Sequence, residues 1–345
     1  MLHKPRIPVR AILTEGMLPS TIQRRLYRRR GYTIARDVAF APGVVIDADE
    51  VSIGAGTSIG FGTVIRGRSV RIGRRVDIGS FCFFEGRDLV VGDDTVVREQ
   101  VFVGGPLFPD SLLEIGKRVR IFQTCFLNPS KPLRIGDETG VGGRSSIFTH
   151  GSWQSILDGY PVAFEPVTIG RNVWLPWHVF ILPGVEIGDN ATIAAGSVVN
   201  RSVPGGTLAA GVPAKVLRGP EEWPRRLDEQ EKWAMARSIF EQLFDYLTDL
   251  GVHLERHDEE WRLAASLTHQ DTRARVALVR GGGEVHAEDD VVVGLCSLAD
   301  LRSRPAVSCF GLIDRRKNGP RGGVAEEVED FLARFGLRFA PADEA

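Results

Sequence analysis

The sequence has few of the features that mark specialised chains. Only four of its 345 residues are cysteine (Cys82, Cys125, Cys296 and Cys309), with no CxxC spacing and no histidine pair nearby. That argues against a zinc site and a disulfide framework, so no metal is expected; free thiols in a reducing cytoplasm are. No uncharged run of 18 apolar residues occurs, so no membrane span is expected. The opening MLHKPRIPVRAILTEG lacks the apolar core of a secretory signal. An excess of charge is missing too. Lys+Arg is 43 against Asp+Glu 44, a net −1, which excludes a general nucleic-acid binder. Disorder is excluded by 43% hydrophobic and 25% charged residues, and the length favours two domains.

Glycine, by contrast, is plentiful, at 39 residues. It falls into a pattern of period six. Large apolar residues recur every sixth position in eight groups of three. The first groups are Ile34/Phe40/Ile46 and Ile53/Ile59/Ile65, and the last is Ile187/Ile193/Val199. Gly follows the first apolar position in seven groups, at Gly54, Gly73, Gly92, Gly116, Gly136, Gly170 and Gly188. A hexad excludes a coiled coil. Six residues make a short strand and a turn, and three such units close a triangle with each apolar residue pointing inward. Gly or Asn is expected to absorb the corners. Stacking buries what one coil cannot, so a mainly β prism of about eight coils at roughly 4.8 Å spacing is predicted. Periodicity does not give its hand.

Function is expected where the repeat breaks, because insertions project from a rigid scaffold. Val103 to Ile115 spans 12 residues and Ile147 to Ile169 spans 22. The longer insertion holds His150, Trp153, Asp158, Tyr160 and Glu165, a base, aromatics and acids that read as the wall of a site. General-base chemistry at neutral pH needs a group of near-neutral pKa, and the imidazole of His150 suits it. Asp158 or Glu165 is placed to contact a substrate or to orient that imidazole. His178 lies inside an unbroken repeat and reads as a turn residue.

Before the repeat, Ser20–Arg30 reads as a helix capped by Ser20, ended by Gly31 and covering the open end of the prism. Its five arginines suit a weak contact with a membrane surface or a pyrophosphate, or simple solvation. After Gly219 the period stops. Glu221–Leu250 reads as a helix with Ala236, Phe240, Leu243 and Leu247 on one stripe. Strand-like runs follow at Trp261–Leu267, Arg275–Arg280, Val291–Leu295 and Ala306–Ile313, then a helix over Val324–Phe335. Gly281–Gly282–Gly283 sits between such runs as a turn, not a phosphate cradle. The expected organisation is an N-terminal segment and capping helix over 1–33, the β-helix over 34–219, and a C-terminal helix with a small α+β domain over 220–345.

Val167–Arg218, VTIGRNVWLPWHVFILPGVEIGDNATIAAGSVVNRSVPGGTLAAGVPAKVLR, resembles the hexapeptide-repeat acyltransferases, in particular the galactoside, maltose and xenobiotic acetyltransferase branch. The resemblance extends over about 34–218. It implies a left-handed parallel β-helix, a homotrimer with sites between subunits, and acetyl-CoA as donor. It also implies direct transfer, without an acyl-enzyme, to a sugar or glycan hydroxyl, as in polysaccharide biosynthesis. Ile147–Phe148–Thr149–His150 is similar to the stretch bearing the family's catalytic histidine. Trp174 matches a tryptophan lining the groove, where Trp153, Asp158 and Glu165 would also meet the acceptor. Arg201, Lys215 and Arg218 match basic positions near the nucleotide, and Ala195 and Asn200 match positions meeting pantetheine. Pro176 and Trp177 depart from the family pattern, which has Gly then a small residue at the thioester end of the cofactor. Two other functions fit the scaffold: N-acetylation of an amino sugar or antibiotic, and a non-catalytic binding β-helix. A γ-carbonic anhydrase would need three zinc histidines where the repeat offers His150 and His178. A sugar nucleotidyltransferase would need a nucleotide domain ahead of the first coil, where 33 residues stand.

Overall fold

The structure, a computed structural model, describes residues 8–269, 272–281, 285–286, 288–301, 307–320 and 322–342. The chain divides into two compact units, Met1–Arg225 and Arg226–Ala345.

The first unit is a parallel β-helix. One side is a ladder of two-residue strands: Ala39–Phe40, Ser58–Ile59, Asp77–Ile78, Val96–Val97, Arg120–Ile121, Gly140–Val141, Trp174–Leu175 and Thr192–Ile193. Leu208–Gly211 joins the ladder in parallel, and Ala214–Arg218 closes it antiparallel. The other two sides merge into one 14-stranded sheet, because Val45–Ile53 and Val64–Ile72 run round a corner and pair on both sides of it. The expected eight coils therefore undercount the stack, which adds the rung at Leu208–Gly211. The six-residue signal fades there because Ala209 replaces a large apolar residue.

Register explains the period. Phe40 pairs with Ile59, Ile59 with Ile78, Ile78 with Val97 and Val97 with Ile121, so each coil sets an apolar side chain on the one below. Every member of the eight groups is buried. The hydroxyls inside the prism are satisfied from coil to coil: Thr139 Oγ1 donates to Gly170 O at 2.8 Å and accepts from Val173 N at 3.0 Å.

The glycines work differently from the expectation. Asn172 (φ 52°) is a left-handed corner as expected, but many corners belong to other residues, among them Asp94 (φ 58°), Arg118 (φ 55°) and Glu138 (φ 62°). Each costs about 1 kcal/mol of backbone strain. Each is held by a coil-to-coil bond, from Asp94 N to Arg74 O at 2.9 Å, Arg118 N to Asp93 O at 2.9 Å and Glu138 N to Lys117 O at 2.9 Å. The glycine two residues earlier is needed for close approach instead. A Cβ on Gly136 would sit 2.6 Å from the Gly170 carbonyl carbon, and one on Gly92 would sit 2.6 Å from that of Gly116.

Two short helices precede the first coil, α1 (Val9–Leu13) and α2 (Ser20–Arg29). Ser20 does not cap α2, which starts after Pro19. Its hydroxyl accepts from Phe40 N at 3.0 Å and Arg24 Nη1 at 2.9 Å, tying helix to coil. Gly31 (φ 93°) follows the helix end, as expected. Gln23 Nε2 donates to Val44 O at 2.6 Å, and Ile46 N donates to the buried Tyr27 hydroxyl at 3.0 Å. Burial pushes that phenol up to about 12.

The division falls at Arg225 rather than 219, because Trp223 Nε1 donates to Thr192 Oγ1 at 3.2 Å and keeps the stretch after Ala214–Arg218 on the prism. In the second unit, α3 (Glu229–Asp249) starts later than Glu221. Asp228 makes a capping box with Glu231 that sets its first turn. Its buried residues, including Ala236, Phe240, Leu243 and Leu247, share a core with a seven-stranded sheet and α4 (Val324–Ala333). The sheet includes Arg262–His269, Thr272–Val279, Val291–Gly294 and Ser308–Gly311. It also includes His253–Glu259, Arg316–Asn318 and Ala340–Pro341, which the sequence reading missed for want of apolar runs. Gly282, Gly283 and Ala306 lie outside the described residues.

Gly136→Ala should lower stability by about 1–3 kcal/mol through overpacking, read as a lower urea midpoint. Gly151→Ala, whose Cβ meets nothing within 4 Å, should leave the midpoint unchanged.

Candidate active site

The prism has three edges, and the strand ladders say which residues share one. Ser146–Phe148, Phe180–Ile181 and Val198–Val199 stack in one side. His150, Gly184 and Asn200–Arg201, which follow those strands, therefore line one edge. Gly140–Val141, Trp174–Leu175 and Thr192–Ile193 stack in another side, so Gly143, Trp177 and Ala195 line a second edge. Trp177 O accepts from Gly196 N at 3.0 Å, and His178 N donates to Gly143 O at 3.1 Å.

His150 begins the long insertion. His150–Gly151 pairs antiparallel with Ala163–Phe164, so the insertion leaves and returns as a hairpin. The imidazole is part-buried. Its Nδ1 lies 2.7 Å from Asn128 Oδ1 and 3.4 Å from Ser130 Oγ. Asn128 is itself buried, and its Nδ2 donates to Gly104 O at 2.8 Å. That bond turns the amide so that the oxygen faces the ring. An amide oxygen only accepts, so Nδ1 carries the proton and Nε2 keeps a lone pair. Thr149 adds a clamp: its hydroxyl donates to Asn128 O at 2.7 Å and accepts from Lys131 N at 2.9 Å.

Aromatic rings hold the other faces. Phe164 stacks on the imidazole at 5.8 Å with 16° between planes, and Phe148 lies 6.3 Å away. Phe108, from the shorter insertion, packs on Phe164 at 4.9 Å. Lys131 Nζ sits 4.9 Å over Phe108 and bonds Asp110 at 3.0 Å. The two breaks in the repeat thus meet around one histidine. Desolvation lowers the His150 pKa from its ordinary value, because burial disfavours the imidazolium.

Neither expected carboxylate orients the ring. Asp158 ends an exposed 3₁₀ turn, Ile156–Asp158. The Glu165 carboxylate lies over Gly184 of the next coil, where a Cβ would fall 2.1 Å from Oε2. Asn128 takes that role and was missed. It stands 22 residues before His150, one coil below, and laying the coils in register would have put the two side by side.

The other predicted residues are spread over the prism. Trp153 is 98% exposed at the insertion's tip. Trp174 and Trp177 are exposed beside Phe122, at 6.3 and 6.5 Å, and the Trp177 ring edge occupies the space over Gly143. Lys215 and Arg218 lie on the closing strand, with the Arg218 guanidinium 6.0 Å over the Trp223 ring. His178 (φ 62°) is a left-handed corner, as a turn residue should be. Among the described residues no three His, Cys, Asp or Glu gather as metal ligands.

Residues 166–201 match the family described as bacterial transferase hexapeptide (six repeats). The matched stretch lies within the β-helix. Its relatives include the galactoside O-acetyltransferase of Escherichia coli, 57% identical over 132 residues, which are 35% of this chain and 62% of that protein. The chain thus spans under two thirds of that curated relative. Among solved structures, a hexapeptide-repeat acetyltransferase of Vibrio cholerae complexed with acetyl coenzyme A is 20% identical, with TM-score 0.30, over 61% of this chain and 84% of that one. A maltose O-acetyltransferase of Clostridium difficile is 21% identical, with TM-score 0.24, over 62% and 84%.

In an NMR titration His150 should protonate with a midpoint below about 6.5, the ordinary value for histidine. Its neutral form should carry the proton on Nδ1, read from the nitrogen shifts. Asn128→Asp should raise the midpoint, since a carboxylate favours the imidazolium.

Proposed function

We propose that the β-helix unit is an acetyltransferase that moves an acetyl group from acetyl-CoA to a hydroxyl of a sugar or glycan precursor, with His150 as general base. The observation that carries this reading is the imidazole held on Nδ1 by Asn128, with a lone pair left on Nε2. A base must be unprotonated to act, and the lowered pKa keeps it so near neutral pH. Similarity to the galactoside O-acetyltransferase of E. coli supports a sugar hydroxyl as acceptor.

In this mechanism Nε2 takes the hydroxyl proton while the oxygen attacks the thioester carbonyl carbon. The carbonyl electrons move to oxygen, giving a tetrahedral oxyanion stabilised by hydrogen-bond donors. When that collapses the C–S bond breaks, and the thiolate takes the proton back from the imidazolium. Asn128 accepts from Nδ1–H throughout and so favours the charge that develops on the ring. No acyl-enzyme forms.

The placement of the residues supports a site shared between copies. His150, Asn200 and Arg201 line one edge, whereas Trp177 and Ala195 line another. The side between those edges carries Phe83, Phe102, Phe126, Phe148 and Phe180, stacked at 5.1–5.4 Å from coil to coil. In a three-fold assembly with this side inward, the His150 edge of one chain meets the Trp177 edge of the next. Phenylalanine fits such a contact, being apolar and free of hydrogen-bond demands. Acetyl-CoA would then lie in the groove between two prisms. Trp177 and Ala195 would flank its pantetheine end, and Asn200, Arg201, Lys215 and Arg218 would lie toward its phosphates. Trp153, Asp158, Glu165 and Trp174 would face the acceptor.

With labelled acetyl-CoA and a panel of sugars and glycans, His150→Ala should lose transfer by about 10²–10⁴-fold in kcat. Undiminished transfer would move the base elsewhere, and wild-type chain that neither transfers nor binds CoA would make the β-helix a scaffold. Phe126→Glu should convert the trimer to monomer in light scattering and lose activity with it, while leaving the circular dichroism of the fold intact.

A further inference from the structure

The first 31 residues hold eight cations, Lys4, Arg6, Arg10 and the five arginines between 24 and 30, against one acid, Glu15. Their net charge is +7 in a chain whose total is −1. The balance over the whole sequence hides a strongly basic segment, and the fold puts its described part, from residue 8 onward, at one end of the prism. Gly43 N donates to Gly16 O at 2.7 Å, and Gln23 Nε2 holds Val44 O, so α1 and α2 sit over the first coil.

Three of the arginines between 24 and 30 serve the fold. Arg24 bonds Val38 O, Arg28 bonds Ile34 O through Nε at 2.9 Å and Nη2 at 2.7 Å, and Arg30 pairs with Glu15. Arg10, Arg25 and Arg29 stand at exposed positions. The same cap leaves four large apolar side chains in water: Val9 (57% exposed), Leu13 (68%), Met17 (53%) and Ile22 (47%). Val9 and Leu13, four apart, share one side of α1. Ile22, Arg25 and Arg29 run along the side of α2 away from its buried Gln23 and Tyr27.

A cap that only needed solubility would show the charges without the exposed Leu, Met and Ile. A polyanion in solution would likewise be met by charge alone. Apolar side chains interspersed with guanidiniums, and almost no acid, suit one environment. At an anionic bilayer surface the side chains enter the headgroup and acyl boundary while the cations stay with the phosphates. We infer that the α1–α2 cap lies on an anionic membrane surface without crossing it, holding the N-terminal end of the β-helix against the lipid. No helix of the described residues is long and apolar enough to span. This inference is independent of the acetyl-transfer reading.

The test is co-sedimentation of the full chain with vesicles of phosphatidylcholine containing about one third phosphatidylglycerol. The chain should pellet with them, stay in solution with pure phosphatidylcholine, and be released at high salt. The double substitution Arg25→Glu, Arg29→Glu should weaken partitioning by at least about 10-fold. Leu13→Asp, at an exposed position, should weaken it as well. Circular dichroism should match wild type for both variants. Absence of pelleting with anionic vesicles would overturn the inference. So would binding that Leu13→Asp leaves unchanged and that heparin or DNA competes away, since that is the signature of a charge-only polyanion site.

Discussion

The structure depends on one backbone constraint, the close stacking of each corner on the corner below. Where Gly136 sits under Gly170 there is no room for a Cβ, and the corner two residues on must turn left-handed to donate its N–H downward. Both requirements come from the same short spacing between coils. Strain at Asp94, Arg118 or Glu138 is tolerated because each such N–H finds a carbonyl on the coil below. Ion pairs such as Arg75–Asp94 and Arg118–Glu138 add little at the surface but favour the same alignment. The prism is rigid in register because a slip of one residue would break these bonds and turn the apolar groups outward.

Rigidity of that kind makes the breaks useful. An insertion between two coils leaves the coils stacked, so its ends are fixed even where its tip is free. His150 exploits this. The side chain stands on the first residue of the insertion, its partner Asn128 on the coil below, and its stacking ring Phe164 on the last strand before the repeat resumes. None of these positions depends on the exposed tip at Trp153. The shorter insertion contributes Phe108 from a coil lower still, and so the two excursions brace each other.

The sequence makes the prism legible because burial repeats with a fixed period, and a period survives inspection without knowledge of contacts. Ile59, Val97 and Leu175 are each the third side of a triangle that hydrophobicity alone reveals. His150 is legible for a similar reason, as a titratable group at the largest break. Asn128 is not. Its importance lies in a contact between coils, and a polar residue after Leu127 looks like any corner until the coils are stacked. The role of the corner glycines is hidden likewise: a flexible backbone and a missing Cβ leave the same letter. In the second unit, His253–Glu259 is almost wholly exposed, with charge on both faces, so no alternation announced it as a strand. The start of α3 was misjudged because charged residues before Asp228 extend the helical composition beyond the capping box.

An amide rather than a carboxylate behind His150 has a chemical consequence. A carboxylate on Nδ1 would fix the same tautomer, yet it would also stabilise the imidazolium and raise its pKa. Asn128 fixes the tautomer without adding a charge, and burial then lowers the pKa. The ring is held neutral, with Nε2 ready to accept, while the amide dipole still favours the positive charge once it develops. An alcohol is a weak acid, so little is gained from a stronger base that spends much of its time protonated. A base kept available at neutral pH, oriented by a neutral partner and enclosed by Phe164 and Phe148, suits the proton removal proposed for acetyl transfer. It suits reversible metal binding poorly, since Asn128, Ser130 and the surrounding rings bring no anionic ligand to the imidazole.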